Sequence, residues 1–310
     1  MNKILRPLFF YNVNNYNIFM AQYLIIDGNN LLHRTYWIAK YNEKESSNFY
    51  IELFLRSIKT YTEMYHPDKI ICTWDKKMHL EEGEKNFRQE LVEYKEGRDD
   101  EYNAKVYEHI DYINRFLLSM GIKIMYPGWL EADDIMHWCS TQHLNDDFVI
   151  VSVDKDLLQL VSANTVVYNP IKKIEYNIKN FESLLNVSHD QFLLQKAIIG
   201  DVSDNIKGLD RVGAVKAKKY LSGEKQFTEE QKIIIERNLK IMDLSQGWQI
   251  NEPRERIVYE KQWSMDWPEP MKKVFFTLCM QYSLYEIISK PEQYNIFFNS
   301  KPKIVNPFLY

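Results

Sequence analysis

Three short apolar runs, each followed closely by an aspartate, constrain this chain more than any other feature. Tyr23–Ile26, Lys69–Thr73 and Phe148–Val153 are rich in Ile and Val and flanked by polar turns, as buried parallel strands are. Helical spacing separates them: Phe49, Leu53, Phe54, Ile58, Tyr61 and Tyr65, then Val106, Ile110, Ile113, Leu117 and Met120, then a helix between Glu131 and Leu144. Alternating strands and helices predict an α/β fold with a parallel sheet covered on both faces. Ligand sites in such sheets form outside the carboxyl ends of the strands, where Asp27, Asp75 and Asp154 stand. A lone strand-end Asp is ordinarily a helix cap. Three of them, beside an acidic helix start, point to a site.

Nine acids make up that site: Asp27, Asp75, Glu131, Asp133, Asp134, Asp154, Asp156, Asp201 and Asp204. Carboxylates gathered by a fold repel one another and resist desolvation unless positive charge neutralises them. Hard oxygen ligands from separate elements suit two Mg²⁺ or Mn²⁺ ions. Two such ions about 4 Å apart serve in-line displacement at phosphate without a His or Cys nucleophile. The chain offers no convincing Ser/His/Asp or Cys/His grouping, so metal-assisted phosphodiester hydrolysis is the coherent chemistry.

The net charge of −4 would ordinarily weigh against a nucleic-acid binder, but the clustered acids exceed that excess. Positive charge appears where a grip would need it. Gly208-Leu209-Asp210-Arg211-Val212-Gly213, followed by Lys216, Lys218 and Lys219, has the form of a helix–hairpin–helix whose glycines let backbone amides approach a phosphate. The other reading of this stretch is a glycine-capped helical turn with a solvated basic face. Residues 76–104 are highly charged, of both signs, and read as a long excursion between the second strand and the next core helix.

Together these residues resemble the 5′ nuclease (flap endonuclease) family. It includes bacteriophage 5′-3′ exonucleases, the phage ribonuclease H enzyme and the 5′ nuclease domain of bacterial DNA polymerase I. The matching strings are Ile26-Asp27-Gly28-Asn29, Phe87-Arg88, Glu93-Tyr94-Lys95, Gly97-Arg98, Glu131-Ala132-Asp133-Asp134, Ser152-Val153-Asp154-Lys155-Asp156-Leu157 and Gly200-Asp201-Val202-Ser203-Asp204-Asn205. The resemblance runs from about Tyr23 to Leu221, with weaker echoes from Arg237 to Leu244.

It implies a PIN-like sheet followed by a helix-hairpin-helix module and a helical C-terminal region. Asp27, Asp75, Glu131, Asp133, Asp154 and Asp156 would serve one side of a two-metal site, and Asp134, Asp201 and Asp204 the other. Residues 76–104 would form a helical arch. Arg88, Lys95 and Arg98 would face the scissile phosphate from it, and Tyr94 would stack on a base. Gly208, Gly213, Lys216, Lys218 and Lys219 would hold the duplex, with K⁺ at the turn. The implied partners are DNA with a 5′ flap or free 5′ end, an RNA–DNA hybrid, and replication proteins such as a single-strand-binding protein or clamp. Three departures stand out. Arg211 replaces the family's usual glycine, Glu96 replaces a small residue, and the stretch between Asp75 and Phe87 is longer than usual.

The expected division is an extension at 1–20, an α/β catalytic domain at 21–190 and a helical DNA-binding and C-terminal region at 191–310. Either residues 1–19 extend the chain or Met20 begins it. Cys72, Cys139 and Cys279 lack metal or disulfide spacing and read as reduced buried thiols of a cytoplasmic, monomeric protein, in the host cytoplasm if phage-encoded. No apolar stretch reaches the ~20 residues of a membrane span, and no signal peptide is evident. Gln293–Phe298 is two residues short of a sliding-clamp peptide and reads as aromatic core packing. Two rival functions follow from the same residues: a binding protein that has lost catalysis, and a phosphatase for small phosphoesters. The first predicts missing carboxylates, yet all nine positions are filled. The second lacks the second Asp of an aspartyl-phosphate pattern after Asp27.

Overall fold

The computed structural model describes residues 21–42, 48–75, 86–92 and 106–299. Its first half is a six-stranded sheet of order β3-β2-β1-β4-β5-β6. The strands are β1 (Gln22–Asp27), β2 (Lys69–Thr73), β3 (Lys123–Met125), β4 (Asp147–Val151), β5 (Thr165–Asn169) and β6 (Ile174–Tyr176). The first five are mutually parallel, and β6 returns antiparallel to β5. β1 lies at the centre, pairing Ile26 with Cys72 of β2 on one side and with Val151 of β4 on the other.

The helices are α1 (Gly28–Tyr41), α2 (Phe49–Tyr65), α3 (Phe87–Leu91), α4 (Ile110–Ser119), α5 (Ala132–Gln142), α6 (Phe181–Leu185), α7 (His189–Ile199), α8 (Ala214–Leu221), α9 (Glu229–Met242), α10 (Leu244–Ser264), α11 (Lys272–Gln281), α12 (Tyr285–Ile288) and α13 (Asn295–Phe298). A 3₁₀ turn covers Asp156–Leu160, and the two-residue strands β7 (Gly200–Asp201) and β8 (Ile206–Lys207) pair beyond α7.

Strand alternation sorts the core. Leu24 and Ile26 of β1 face one layer with residues of α1, α2, α4 and α11, whereas Tyr23 and Ile25 face the other with residues of α5 and α10. All four are at most 5% exposed. Each contributes on the order of 1.5–3 kcal/mol by leaving water, so this strand cannot slip in register without losing both layers. A third core holds α7, α8 and α9 together through Ala197, Ile206, Leu209, Ala217, Tyr220 and Ile241.

The three predicted strands and the helices around them are present. β3, β5 and β6 were not anticipated. β3 and β6 are only three residues long and show neither alternation nor a long apolar run. The region expected to be helical from 191 onward also holds the small β7–β8 pair. The pair exists because two glycines allow the chain to pass itself. Gly200 adopts φ +84°, and a Cβ on Gly208 would lie 2.1 Å from the Ile199 carbonyl oxygen. The aromatic segment near the C-terminus packs as expected, with Tyr294 and Phe297 buried against the same layer as Phe275. The three cysteines are buried and unpaired. No helix among the described residues is long and apolar enough to cross a membrane.

Candidate nuclease centre

The sheet changes its winding direction between β1 and β4, so a crevice opens at the carboxyl ends of these strands. Asp27 closes β1 and caps α1, accepting from Asn30 N at 3.0 Å. Its other oxygen accepts from Ser152 Oγ at 2.6 Å, just past β4. The same serine oxygen accepts from Asp154 N at 3.0 Å, and Asp154 in turn accepts from Asp156 N at 2.8 Å. On the other flank, Asn29 Oδ1 accepts from Asp75 N at 2.9 Å, and Asp75 accepts from Ala132 N at 2.8 Å, at the start of α5. Gly28 is required for this closeness, because a Cβ there would sit 2.7 Å from the Thr73 carbonyl and 2.9 Å from Cys72 Sγ.

Asp27, Asp75 and Asp154 thus meet at one edge. Burial, and then the charges of Asp75 and Asp154, push the Asp27 carboxyl up to about 7, despite the hydrogen bonds from Ser152 and Asn30. Glu131 and Asp133 stand beside them at the start of α5, half-buried.

A second group arrives from α7 and β7. Lys196 Nζ lies between Asp156 Oδ1 and Asp201 Oδ2, 3.2 Å from the latter. Burial raises the Asp201 carboxyl, but hydrogen bonds from Ser203 and the charge of Lys196 outweigh it and hold the group below the usual carboxylate range. No sequence motif marks Lys196. Only the packing of α7 against the 3₁₀ turn brings it to the acids. Asn29, Asn30 and Ser152, which lie in or next to the matching strings, hold the strand ends in place.

Two of the expected site residues lie apart from the strand-end acids. Arg88, expected over the scissile phosphate, and Asp134, expected at a metal, form a buried pair, with Arg88 2% and Asp134 0% exposed. Arg88 Nη1 and Nη2 donate to the two oxygens of Asp134 at 2.9 and 2.8 Å, and its Nε donates to the Ile241 carbonyl at 3.1 Å. An aspartate inside α5 needs a neutralising partner, and α3 supplies one. Tyr94, Lys95 and Arg98, and most of the arch expected at 76–104, lie outside the described residues.

At the basic turn the two glycines differ. Gly208 is packed backbone to backbone against Ile199 and Gly200, whereas a Cβ on Gly213, which caps α8, would meet nothing among the described residues within 4 Å. Arg211 takes φ +55°, the left-handed conformation that a glycine would adopt without cost. Lys216 donates to the Arg211 carbonyl at 2.9 Å. Lys218 and Lys219 are exposed. Asn238, fully buried, ties α9 to the turn by donating to the Ala197 and Lys207 carbonyls at 2.8 and 3.0 Å.

Among the described residues, no three His, Cys, Asp or Glu side chains are grouped so as to hold an ion. Several of the carboxylate oxygens are engaged by protein donors, as described above. A cavity of about 420 Å³ between α5 and α7, lined in part by His137, Gln159, Asn164 and Phe192, lies away from the acids. Among the described residues, no Lys or Arg lines it.

Residues 22–186 match the 5′-3′ exonuclease N-terminal resolvase-like domain. A 5′-3′ exonuclease of Mycoplasmopsis pulmonis is 30% identical over 288 residues, spanning 88% of this chain and 91% of that one. The DNA polymerase I of Caldicellulosiruptor bescii is 31% identical over 211 residues, 64% of this chain but only 24% of that longer protein. In fold, a bacteriophage T5 flap endonuclease complex with DNA and metal ions aligns with a TM-score of 0.62 at 21% identity, covering 83% of this chain and 99% of that one. A zinc-bound form of the T5 5′-exonuclease aligns at 0.61 and 21% identity, with 83% and 99% covered. The chain belongs to the 5′-3′ exonuclease family of nucleases.

Proposed function

We propose that this nuclease hydrolyses phosphodiesters near the 5′ ends of DNA, at flaps and free ends and in RNA-primed junctions, with divalent cations as cofactors and a 5′-phosphate product. The observation that carries the reading is the convergence of Asp27, Asp75 and Asp154 at one crevice, where burial first and then the charges of Asp75 and Asp154 raise Asp27 to about 7. In chemistry, though not in the spacing of the described side chains, the donor set fits such a cofactor. The oxygens are hard, they come from separate rigid elements, and their mutual repulsion calls for positive charge. Lys196, whose ammonium lies between Asp156 and Asp201, is a stand-in that marks a second place where these acids accept a cation.

Asp27, Asp75, Glu131, Asp133, Asp154 and Asp156 would hold one side, and Asp201 and Asp204 the other. Two divalent ions would supply Lewis acidity at the phosphate and lower the pKa of the attacking water. The protein's own part is placement. Ser152 fixes the Asp27 carboxylate and the Asp154 backbone, and Asn29 and Asp75 fix the start of α5 against them. Tyr94, Lys95 and Arg98 retain the role of substrate contacts. Gly213, Lys218 and Lys219 would grip the duplex phosphates, with K⁺ a candidate at the turn.

Cleavage of a 5′-labelled flap duplex, compared with a blunt end, a nick and an RNA-primed junction, tests the reading. Asp154→Asn should abolish release while DNA binding persists. Chelator-resistant cleavage, or full activity in that variant, would sink it.

A further inference from the structure

Five consecutive backbone amides leading into α5 end on carboxylates. Gly128 N donates to Glu255 Oε2 at 2.9 Å, and Trp129 N and Leu130 N donate to Glu255 Oε1, the latter at 2.7 Å. Glu131 N donates to Asp134 at 3.0 Å, and Ala132 N to Asp75 at 2.8 Å. Glu255 lies on α10, far along the chain, and is fully buried at 0% exposure. Burying a carboxylate is costly unless hydrogen bonds compensate, and three converging N–H groups do so here.

The segment it holds has no helix or strand of its own, and its next residues are Glu131 and Asp133. The grip is close. A Cβ on Gly128 would lie 3.3 Å from Glu255 Oε2 and 3.2 Å from Val258. One turn further along α10 after Val258, Gln262 exchanges two hydrogen bonds with Tyr126, donating to its carbonyl and accepting from its N–H, both at 2.8 Å. The loop from 126 to 130 is therefore shaped by α10 rather than by the sheet it leaves.

We propose that Glu255 is a positioning residue of the nuclease centre. By holding the amides of 128–130 it fixes where Glu131 and Asp133 present their oxygens to a divalent cation. It touches neither substrate nor ion. The role rests on the metal-dependent reading given above, and it makes a C-terminal helix part of the cutting centre.

The full-length protein carrying Glu255→Gln tests this. The substitution keeps the shape but places an NH₂ against backbone donors. Hydrogen exchange of amides 128–130 should quicken at least tenfold. Mn²⁺ affinity, read by electron paramagnetic resonance, should fall at least fivefold, and DNA affinity in chelator should stay within twofold. Cleavage at saturating Mg²⁺ should return to within about threefold of the parent, a shift in metal requirement that a general loss of fold would not produce. Unchanged exchange, or quickened exchange with Mn²⁺ affinity within twofold of the parent, overturns the role. If the Gln variant does not fold, Glu255→Asp, which keeps the charge and shortens the reach, is judged by the same thresholds. A parent protein that binds no Mn²⁺ sinks the metal-dependent reading itself. A parent that binds, with a variant that binds equally well, sinks only Glu255.

Discussion

Arg88 and Asp134 grip each other through two parallel hydrogen bonds of 2.9 and 2.8 Å in a place almost closed to water. The pair joins three parts of the molecule. Arg88 comes from α3, Asp134 from the helix that carries Glu131 and Asp133, and the guanidinium also reaches the Ile241 carbonyl at the end of α9. Glu131 Oε2 stands 3.7 Å from the same guanidinium. Removing one partner leaves the other charge buried, which costs more than the intact pair contributes. Arg88→Ala should lower the unfolding free energy by about 3–5 kcal/mol. The double change to Leu at both positions should recover most of it. Urea unfolding of the parent and the two variants reads this directly, and an unshifted midpoint for Arg88→Ala would refute it.

Gly247, in the first turns of α10, sits against the same pair. A Cβ there would lie 2.9 Å from Arg88 Nη2 and 3.0 Å from Asp134 Oδ1. In an open helix, replacing Gly by Ala would stabilise by roughly 1 kcal/mol. Here the methyl would force the ion pair apart, so Gly247→Ala should destabilise, by about 1–3 kcal/mol, as overpacking does. Thermal unfolding decides, since the two effects have opposite signs.

The strand-end acids were legible because three of them repeat one relation between strand and charge, and parallel sheets put all such ends on one edge. The Arg88–Asp134 pair was not. Both residues lie in strings shared with nucleases, and charged residues in such strings read as chemistry unless burial is known. Lys196 and Glu255 carried no signal at all. Lys196 acts across the packing of α7 on the 3₁₀ turn and Glu255 across that of α10 on α5 and the loop before it, distances in sequence that periodicity does not report. Arg211 is an intermediate case. The sequence marked it as a departure from glycine, and the φ of +55° supplies the physical reason.

That backbone angle makes Arg211→Gly a stabilising change. A left-handed non-glycine residue costs roughly 1–2 kcal/mol, and glycine gives back up to about 1 kcal/mol through unfolded-state entropy. A net gain of about 0.5–1 kcal/mol should appear as a higher unfolding midpoint, whereas Gly208→Ala, whose methyl meets the Ile199 carbonyl, should lose several times that. Equal midpoints for the two variants would contradict both assignments.

Asp27 gives the metal-free protein a pH signature. Its folded carboxyl titrates near 7 against an ordinary 3.8, so the unfolded chain ionises first. Stability from this group is complete below about pH 4, falls as pH rises toward 7 and levels off above it. The total is on the order of 4 kcal/mol. Asp27→Asn should flatten that slope in chelator. Mg²⁺ should flatten it in the parent, because a bound cation favours the ionised form. Denaturant unfolding from pH 4 to 8 checks the sign, and stability that rises through this window for the parent but not the variant would reverse it.

The basic turn divides its three lysines by geometry. Lys216 spends its ammonium on the Arg211 carbonyl, and so shapes the turn, while Lys218 and Lys219 project from α8 into solvent. Each phosphate contact made by a lysine adds about 0.9 to the slope of log affinity against log salt. Lys218→Gln with Lys219→Gln should therefore lower the slope for duplex DNA by about 1.8, leaving stability unchanged, because neither side chain packs. Lys216→Gln should do the reverse, lowering the midpoint of unfolding slightly and changing the slope little. Fluorescence anisotropy across a salt series separates the two. If all three substitutions shift the slope alike, the turn is held by its backbone alone and Lys216 contacts DNA as its neighbours do.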